Sequence, residues 1–286
     1  MTVEEPLALI APLADELAQA HCRRDGDTGD SCAWYHGTVD YLRLLGVMSS
    51  PAEDRGFLVP ALESLARDPA FRRVFVSGAG DCSMLAQVLS GFAATEAEPS
   101  ITLIDRCETP VRLNRWFAER QGLSIETSVA SILDYETEQK FDVICTHCFL
   151  GWFTPAELPR LFAKWSALLR PGGRVLTVNP IRATADHSFV RFKPEQAASF
   201  EERALAAARD NPGLFPGDLT ALQKRVAAFT ANFGSYPVRS VEEFTGLFEA
   251  AGFVVEACGP LQAASSGGGA PGEHGPAYHY AVALRP

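Results

Sequence analysis

Residues 73–81 read RVFVSGAGD, and residues 100–105 read SITLID. The apolar part of each stretch is short and rich in β-branched residues, which is typical of a strand buried on both faces of a parallel sheet. From Met84 onward, the apolar residues between the two stretches recur with a helical period. This pattern predicts a strand, a glycine loop, a helix and a second strand that ends at Asp105. Such an order is that of a nucleotide-binding unit.

The glycine loop contains Gly78 and Gly80 but no third glycine, because Cys82 and Ser83 follow. Glycines allow the backbone to approach a ligand closely. A loop that binds the pyrophosphate of a dinucleotide has three glycines, so a dinucleotide is not favoured here. The carboxylate of Asp81 would repel phosphate and attract an ammonium group or a ribose hydroxyl. Asp105 stands where an acid binds the two hydroxyls of a ribose.

The stretch VFVSGAGD at 74–81, with LID at 103–105 and LLRPGGRVL at 168–176, resembles the class I methyltransferases that depend on S-adenosylmethionine (SAM). The resemblance implies an α/β fold with a doubly wound, seven-stranded, mostly parallel sheet whose last strand is antiparallel. It also implies SAM as the cofactor, and helices ahead of the first strand that lie across the SAM pocket.

The same resemblance assigns cofactor-binding residues to the glycine loop, to the ends of strands and to the segment that faces adenine. They are Ser77, Gly78, Ala79, Gly80, Asp81, Ser83, Met84, Asp105, Arg106, Ser131, Ile132 and His147. Ser131 occupies the position where the family usually has an acid, so the contact with the adenine amino group departs from the family pattern. Ile132 would cover the face of the ring with an apolar side chain.

Three residues are predicted to be catalytic: His147, Tyr35 and His36. His147 ends the predicted fourth strand of the core, where a doubly wound sheet binds its ligands, and imidazole titrates near neutral pH. It is therefore the best general base for an acceptor, although a role in packing or in SAM binding fits it equally. Aromatic side chains are predicted to line a substrate pocket and to contact the sulfonium; they are Trp34, Tyr35, Phe149, Trp152 and Tyr236.

The chain is expected to form one large α/β core with added helices. Residues 1–70 are predicted to be a helical segment that packs over the cofactor site, and residues 71–286 the SAM-binding domain. An insertion at about 181–240 is too long for a simple connection between two elements. Its stretches 195–208 and 219–233 have helical periodicity, so the insertion is predicted to form a helical cap. The Gly/Ser-rich stretch 264–272 is predicted to be a mobile loop.

The formal net charge is −10, and no Lys/Arg cluster occurs on a predicted face. Nucleic acid is therefore not an expected partner, and a small molecule is. The N-terminus is acidic, and no apolar run has the length of a membrane span, so we expect neither secretion nor a membrane. The seven cysteines are irregularly spaced, which favours a reduced, cytoplasmic protein without disulfides.

The sequence predicts no metal site. Cys145 and Cys148 have the spacing of a metal-binding pair, but Cys145 lies within a strand and no second pair of this spacing follows. The acidic loop 23–31 resembles a calcium loop, but His36 stands where the bidentate glutamate should be. A set comprising His21, Cys22, Cys32 and His36 has spacings that are too wide and irregular to indicate zinc.

The leading hypothesis is a SAM-dependent methyltransferase that methylates an oxygen or nitrogen atom of a small molecule. A second enzyme class fits the same residues: one that consumes SAM without methyl transfer, by cyclisation to azetidine-2-carboxylate or by aminocarboxypropyl transfer, and releases methylthioadenosine. A non-catalytic SAM-binding protein is the third alternative. Such a protein would be expected to have a degraded glycine loop or to lack the acid, whereas Gly78, Gly80 and Asp105 are all present.

Overall fold

The structure is a computed structural model that describes residues 3–22, 24–25, 30–95, 97–261 and 277–286. The stretch 264–272 and most of the acidic loop 23–31 lie outside these residues. The strands, in chain order, are β1 (Arg24–Asp25), β2 (Asp30–Ser31), β3 (Arg73–Ser77), β4 (Ser100–Asp105), β5 (Glu126–Val129), β6 (Phe141–His147), β7 (Leu169–Ile181), β8 (Val190–Arg191), β9 (Gly234–Ser235), β10 (Val254–Pro260) and β11 (Ala277–Leu284).

The α-helices flank these strands. They are α1 (Leu7–His21), α2 (Ala33–His36), α3 (Val39–Leu44), α4 (Arg55–Ala66), α5 (Ser83–Ala93), α6 (Glu108–Arg120), α7 (Leu158–Leu168), α8 (Pro194–Asp210), α9 (Leu219–Asn232) and α10 (Val241–Ala250). Short 3₁₀ helices occur at Pro51–Asp54 and Leu150–Trp152.

Seven strands form one sheet in the order β10-β11-β7-β6-β3-β4-β5. The five strands from β7 to β5 are parallel, and β11 lies antiparallel between β7 and β10. The predicted fold class is therefore confirmed. Because the strand order reverses between β3 and β6, their carboxyl ends flank a topological switch point, where a sheet of this kind binds ligands.

Two predicted boundaries differ from the structure. Residues 154–157 read TPAE, a pattern that predicts a helix start at Thr154, but α7 begins at Leu158. Thr154–Glu157 form a separate turn in which the Glu157 carboxylate accepts bonds from the Thr154 amide (2.9 Å) and hydroxyl (2.8 Å). The turn residues Pro171, Gly172 and Gly173 predict that the next strand begins at Arg174, whereas β7 begins at Leu169. Its first residues are held by the end of the chain, since Gly172 donates to the carbonyl oxygen of Arg285.

Apolar side chains form a cluster on each face of the sheet. One cluster joins the sheet to α1, α4, α5 and α6, and the other joins it to α7 and α10. A third cluster lies away from the sheet and joins α3 to α8 and α9, with Leu42, Phe200 and Phe229 fully buried in it. The inserted helices therefore share a core with the N-terminal segment.

An ion pair and a hydrogen bond add to this contact. The Arg225 guanidinium of α9 donates to both carboxylate oxygens of Asp15 in α1, at 2.6 and 2.7 Å, and to the carbonyl oxygen of Gly37. Bidentate Arg–carboxylate pairs have a defined geometry as well as charge attraction. The insertion is thus attached to the N-terminal helices at a defined position. Among the described helices, none combines the length and apolarity needed to cross a membrane.

Candidate functional site

Three predicted site residues lie at the carboxyl ends of neighbouring strands. Ser77 pairs with Ile104 across β3 and β4, Asp105 ends β4, and His147 ends β6 on the other side of β3. The hydroxyl of Ser77 is buried and has no hydrogen-bond partner among the described residues. The sheet therefore brings residues that are far apart in sequence to one edge beside the switch point.

The glycine loop follows β3 and requires its first glycine for two reasons. Gly78 has a φ of +71°, and a Cβ atom at this position would lie 2.1 Å from Cε2 of Phe149. Its amide donates to the carbonyl oxygen of Ile104 at 3.1 Å. A Cβ at Gly80 would lie 3.3 Å from the hydroxyl oxygen of Tyr35. Tyr35 and Phe149, both predicted pocket residues, thus lie against the loop.

Asp105 is positioned by the backbone that follows it. Its Oδ1 accepts a hydrogen bond from the amide of Cys107 at 2.8 Å, and its carbonyl oxygen accepts one from Ala130 at 2.9 Å. Burial raises the pKa of its carboxyl group, and the nearby His36 opposes this rise. The second bond holds the 130–134 segment against the end of β4.

The predicted adenine segment forms a turn. Ser131 is half-buried, and its hydroxyl accepts a bond from the amide of Leu133 at 3.3 Å. Ile132 is buried in the apolar cluster that joins the sheet to α7 and α10.

Three other predicted cofactor residues differ in burial. Ala79 of the glycine loop and Met84 of α5 are buried in the cluster on the opposite face of the sheet, whereas Arg106 is exposed.

A group of charged side chains lies beside the glycine loop. Arg43 of α3 forms an ion pair with Asp81, and its Nη1 atom lies 3.6 Å from Oδ1 of Asp40. The carboxylate of Asp81 also accepts a bond at 2.7 Å from the amide of Ser83, the first residue of α5. Neither carboxylate oxygen of Asp40 has a hydrogen-bond partner among the described residues.

Glu5 completes this charged group. Its carboxylate accepts bonds from the amide of Cys82, at 3.0 Å, and from the hydroxyl of Ser83. Burial and the neighbouring Asp40 raise the pKa of Glu5 to about 7, and burial raises the pKa of Asp40 to about 6, while Arg43 opposes both shifts. Three carboxyl groups therefore face one guanidinium. Sequence reasoning missed Glu5 and Asp40, because an acid within or beside an amphipathic helix looks like part of a solvated face.

His147 has a partner that the sequence did not reveal. Its Nε2 atom lies 2.6 Å from Oδ2 of Asp54, which ends the 3₁₀ helix Pro51–Asp54. Burial alone lowers the pKa of His147, but the adjacent Cys148 and the Asp54 carboxylate outweigh burial and raise it to about 9. No local pattern distinguishes Asp54 from an ordinary acid near a helix start, since Ser50 and Glu53 already form the capping box there.

An aromatic cluster covers this edge of the sheet. Tyr35 makes edge contacts with Trp34 and Trp152, at centroid distances of 5.8 and 5.6 Å, and stacks on Phe229 and Phe233 of the inserted region. Burial raises the pKa of the Tyr35 hydroxyl to about 12, so it remains neutral at physiological pH. The N-terminal segment, the inserted region and the chain after β6 each contribute a ring to this cluster.

The other predicted residues lie at the margins of this cluster. His36 is buried, contacts the Tyr35 ring at 5.1 Å and interacts with the thiol of Cys107. Tyr236 packs on Phe189 at 5.0 Å, and its amide donates to the carbonyl oxygen of Gly151. The structure thus brings Tyr35 and Trp152 together, whereas His36 is directed to a group of cysteines.

Comparison with known proteins links these features to one family. Residues 77–173 match a family model described as a methyltransferase domain. This range begins at the last residue of β3 and ends within β7, so it contains the glycine loop, Asp105 and His147. No curated protein sequence matches the chain.

Solved structures with the same fold include a geranyl diphosphate methyltransferase in complex with SAM. It is 14% identical, has a TM-score of 0.52, and the match covers 91% of this chain and 93% of that one. A 1,6-didemethyltoxoflavin-N1-methyltransferase from Burkholderia thailandensis, with its substrate and S-adenosylhomocysteine bound, is 16% identical with a TM-score of 0.52, over 86% and 85% of the chains. The N-methyltransferase NodS from Bradyrhizobium japonicum is 13% identical with a TM-score of 0.50, over 88% and 98%. At such identities the likeness establishes the fold.

Proposed function

We propose that the chain is a class I SAM-dependent methyltransferase that methylates an oxygen or nitrogen atom of a small-molecule acceptor. One observation carries the proposal. The glycine loop, Asp105 and His147 meet at the switch-point edge of the sheet, beneath the aromatic cluster around Tyr35. The predicted cofactor residues, a titratable side chain and a layer of aromatic rings are thus adjacent. A group-transfer reaction needs this arrangement, because it must hold donor and acceptor together and exclude water.

The residues at this edge fit the parts of SAM. Asp105 has a carboxylate that can accept bonds from ribose hydroxyls, and the Gly78–Gly80 backbone permits close approach. When ionised, Glu5, Asp40 and Asp81 have three negative charges against the one positive charge of Arg43. This excess of negative charge suits the α-ammonium group of SAM. When bound, the cofactor supplies a methyl group on a positively charged sulfur atom.

His147 is proposed to accept the proton of the acceptor. Because its pKa is raised to about 9, most of the imidazole is protonated at pH 7, and the neutral form that can act as a base increases toward alkaline pH. Asp54 would orient the ring and stabilise its protonated form, as a carboxylate behind a catalytic histidine does. Tyr35 stays neutral and can line the site without competing for the proton.

A small acceptor is favoured by the charge of the protein and by its aromatic cover. A formal charge of −10 disfavours nucleic acid. Rings such as Tyr35 and Trp152 can stack on a flat or partly apolar molecule. Two of the solved structures above are, by name, methyltransferases of small molecules. A cytoplasmic location also remains our proposal, based on the irregular spacing of the seven cysteines.

The deciding experiment follows the fate of SAM by mass spectrometry. Purified protein is incubated with SAM alone and with a panel of small hydroxyl and amine acceptors. S-adenosylhomocysteine should form only with an acceptor, together with a product that is heavier by one methylene unit. Rapid release of methylthioadenosine without an acceptor would overturn methyl transfer in favour of cyclisation or aminocarboxypropyl transfer. The Asp105→Ala variant controls for contaminating enzymes, since it should lose either activity.

A further inference from the structure

Three cysteines that are distant in sequence have their sulfur atoms side by side. The Sγ atom of Cys107 lies 3.7 Å from that of Cys22 and 3.5 Å from that of Cys32. All three atoms lie within 4.8 Å of one another. Cys22 follows α1, Cys32 precedes α2 and Cys107 precedes α6, so three separate elements converge here.

These separations match the geometry of a bound metal better than that of a disulfide. A zinc–sulfur bond is about 2.3 Å long, and two ligands at a tetrahedral angle then have sulfur atoms about 3.8 Å apart. A disulfide requires about 2.05 Å, which is about 1.5 Å shorter than the separations found. Two of the three separations are therefore those of thiolate ligands on one zinc ion, and the third, between Cys22 and Cys32, is within 4.8 Å.

A histidine lies next to one of the three sulfur atoms, that of Cys107. His36 is 8% exposed, and its imidazole interacts with the thiol of Cys107. Its Nδ1 atom is buried and has no hydrogen-bond partner in the part of the chain that the structure describes. A buried polar atom without a partner is costly, and it is rare in native proteins. Imidazole nitrogen is also, with thiolate, the usual ligand of zinc.

We propose that Cys22, Cys32 and Cys107 bind a zinc ion as thiolates and that His36 supplies the fourth ligand after a small movement of its ring. Three thiolates and one imidazole form a donor set of structural zinc sites, which have no open position for water. The ion offsets the negative charge that three adjacent thiolates would otherwise concentrate in a partly buried place.

The site would stabilise the part of the chain that carries the cofactor acid. The amide of Cys107 donates to Oδ1 of Asp105 at 2.8 Å, so a metal bound to Cys107 would fix the backbone that positions this carboxylate. It would also join α1 and α2 of the N-terminal segment to α6 of the sheet domain. This inference does not depend on the reaction, because it concerns a metal that holds the fold.

Metal content is measured on the whole protein, purified in reducing buffer without chelator and dialysed against zinc. Inductively coupled plasma mass spectrometry should find about one zinc ion per chain. Protein reconstituted with cobalt should show the thiolate-to-cobalt charge-transfer absorption. The Cys107→Ser and Cys22→Ser variants should lose this absorption and most of the zinc. Cys258→Ser is the matched control, because Cys258 is a half-buried free thiol on the edge strand β10. Cys107 follows β4, which lies near the opposite edge of the sheet.

Several outcomes would overturn the proposal. The first is a zinc content below about a tenth of an ion per chain after dialysis, and the second is an unchanged zinc content in Cys107→Ser. The third is a disulfide within the cluster that persists in reducing buffer. Circular dichroism separates loss of metal from loss of fold in the variants, and the cobalt spectrum of the unaltered protein needs no variant. His36→Ala should weaken zinc binding at least about tenfold, and unchanged affinity would remove His36 from the ligand set. None of these measurements uses SAM, so their failure is distinct from failure of the proposed reaction.

Discussion

The Nε2 atom of His147 lies 2.6 Å from Oδ2 of Asp54, although 93 positions separate the two residues in the chain. The pKa of His147 in the folded protein is about 9, above its ordinary value of 6.5. The interaction therefore stabilises the fold fully below about pH 6.5, and the stabilisation is lost as the pH rises through 9. A base for methyl transfer would become available over the same range.

The first prediction concerns this pair. In the unaltered protein, a nitrogen-detected NMR titration of the His147 ring should give a midpoint near pH 9. Asp54→Asn removes the negative charge and should lower the midpoint by about one unit or more, since the ring then loses its ion-pair partner. Asp134→Asn, at an exposed acid, should leave it unchanged. An Asp54→Asn midpoint equal to that of the unaltered protein would contradict the role given to Asp54.

The second prediction concerns Asp105. Asp105→Ala should weaken the binding of S-adenosylhomocysteine at least about tenfold in calorimetry, because the ribose hydroxyls lose a charged acceptor. Glu119→Ala, at an exposed acid of α6 outside the adenine segment, serves as the matched control and should bind normally. Equal affinities of the two variants would place the ribose elsewhere.

The third prediction concerns Gly78. Gly78→Ala should lower the free energy of unfolding by about 2 kcal/mol or more. The alanine backbone would have to adopt a positive φ, and the added Cβ would clash with the Phe149 ring. Gly246→Ala is the control, since Gly246 lies within α10 with no atom within 4 Å of the added Cβ. It should be neutral or stabilising by up to about 1 kcal/mol. Chemical denaturation measures both, and equal stabilities would contradict the close packing of the loop.

The fourth prediction concerns the charged group beside the loop. The pKa values of Glu5 and Asp40 are raised to about 7 and about 6, so both groups gain negative charge between pH 6 and 8. Binding of S-adenosylhomocysteine through its ammonium group should therefore become several-fold tighter over this range. Asp40→Asn should reduce the increase, whereas Asp134→Asn should preserve it. An affinity that is independent of pH in the unaltered protein would show that the ammonium binds away from this group.

Local patterns were sufficient for the sheet and for the position of the glycine loop. The glycines at 78 and 80 interrupt a buried strand, and Asp105 ends the next one, so the order of elements follows from residues that are close in sequence. The carboxyl ends of parallel strands share one edge of a sheet, which is why the sequence also predicts His147 at this edge.

The partners of these residues depended on long-range packing. Asp54 reaches His147, Glu5 reaches the start of α5, and Cys107 joins Cys22 and Cys32, in each case across about 75 to 93 positions. No periodic pattern encodes such contacts, because they arise when α1, α2 and the 3₁₀ helix at Pro51–Asp54 pack against the sheet domain. An acid or a cysteine on a helix end looks the same in sequence whether it faces solvent or a partner. Its chemistry is decided by what burial places within hydrogen-bonding distance of it.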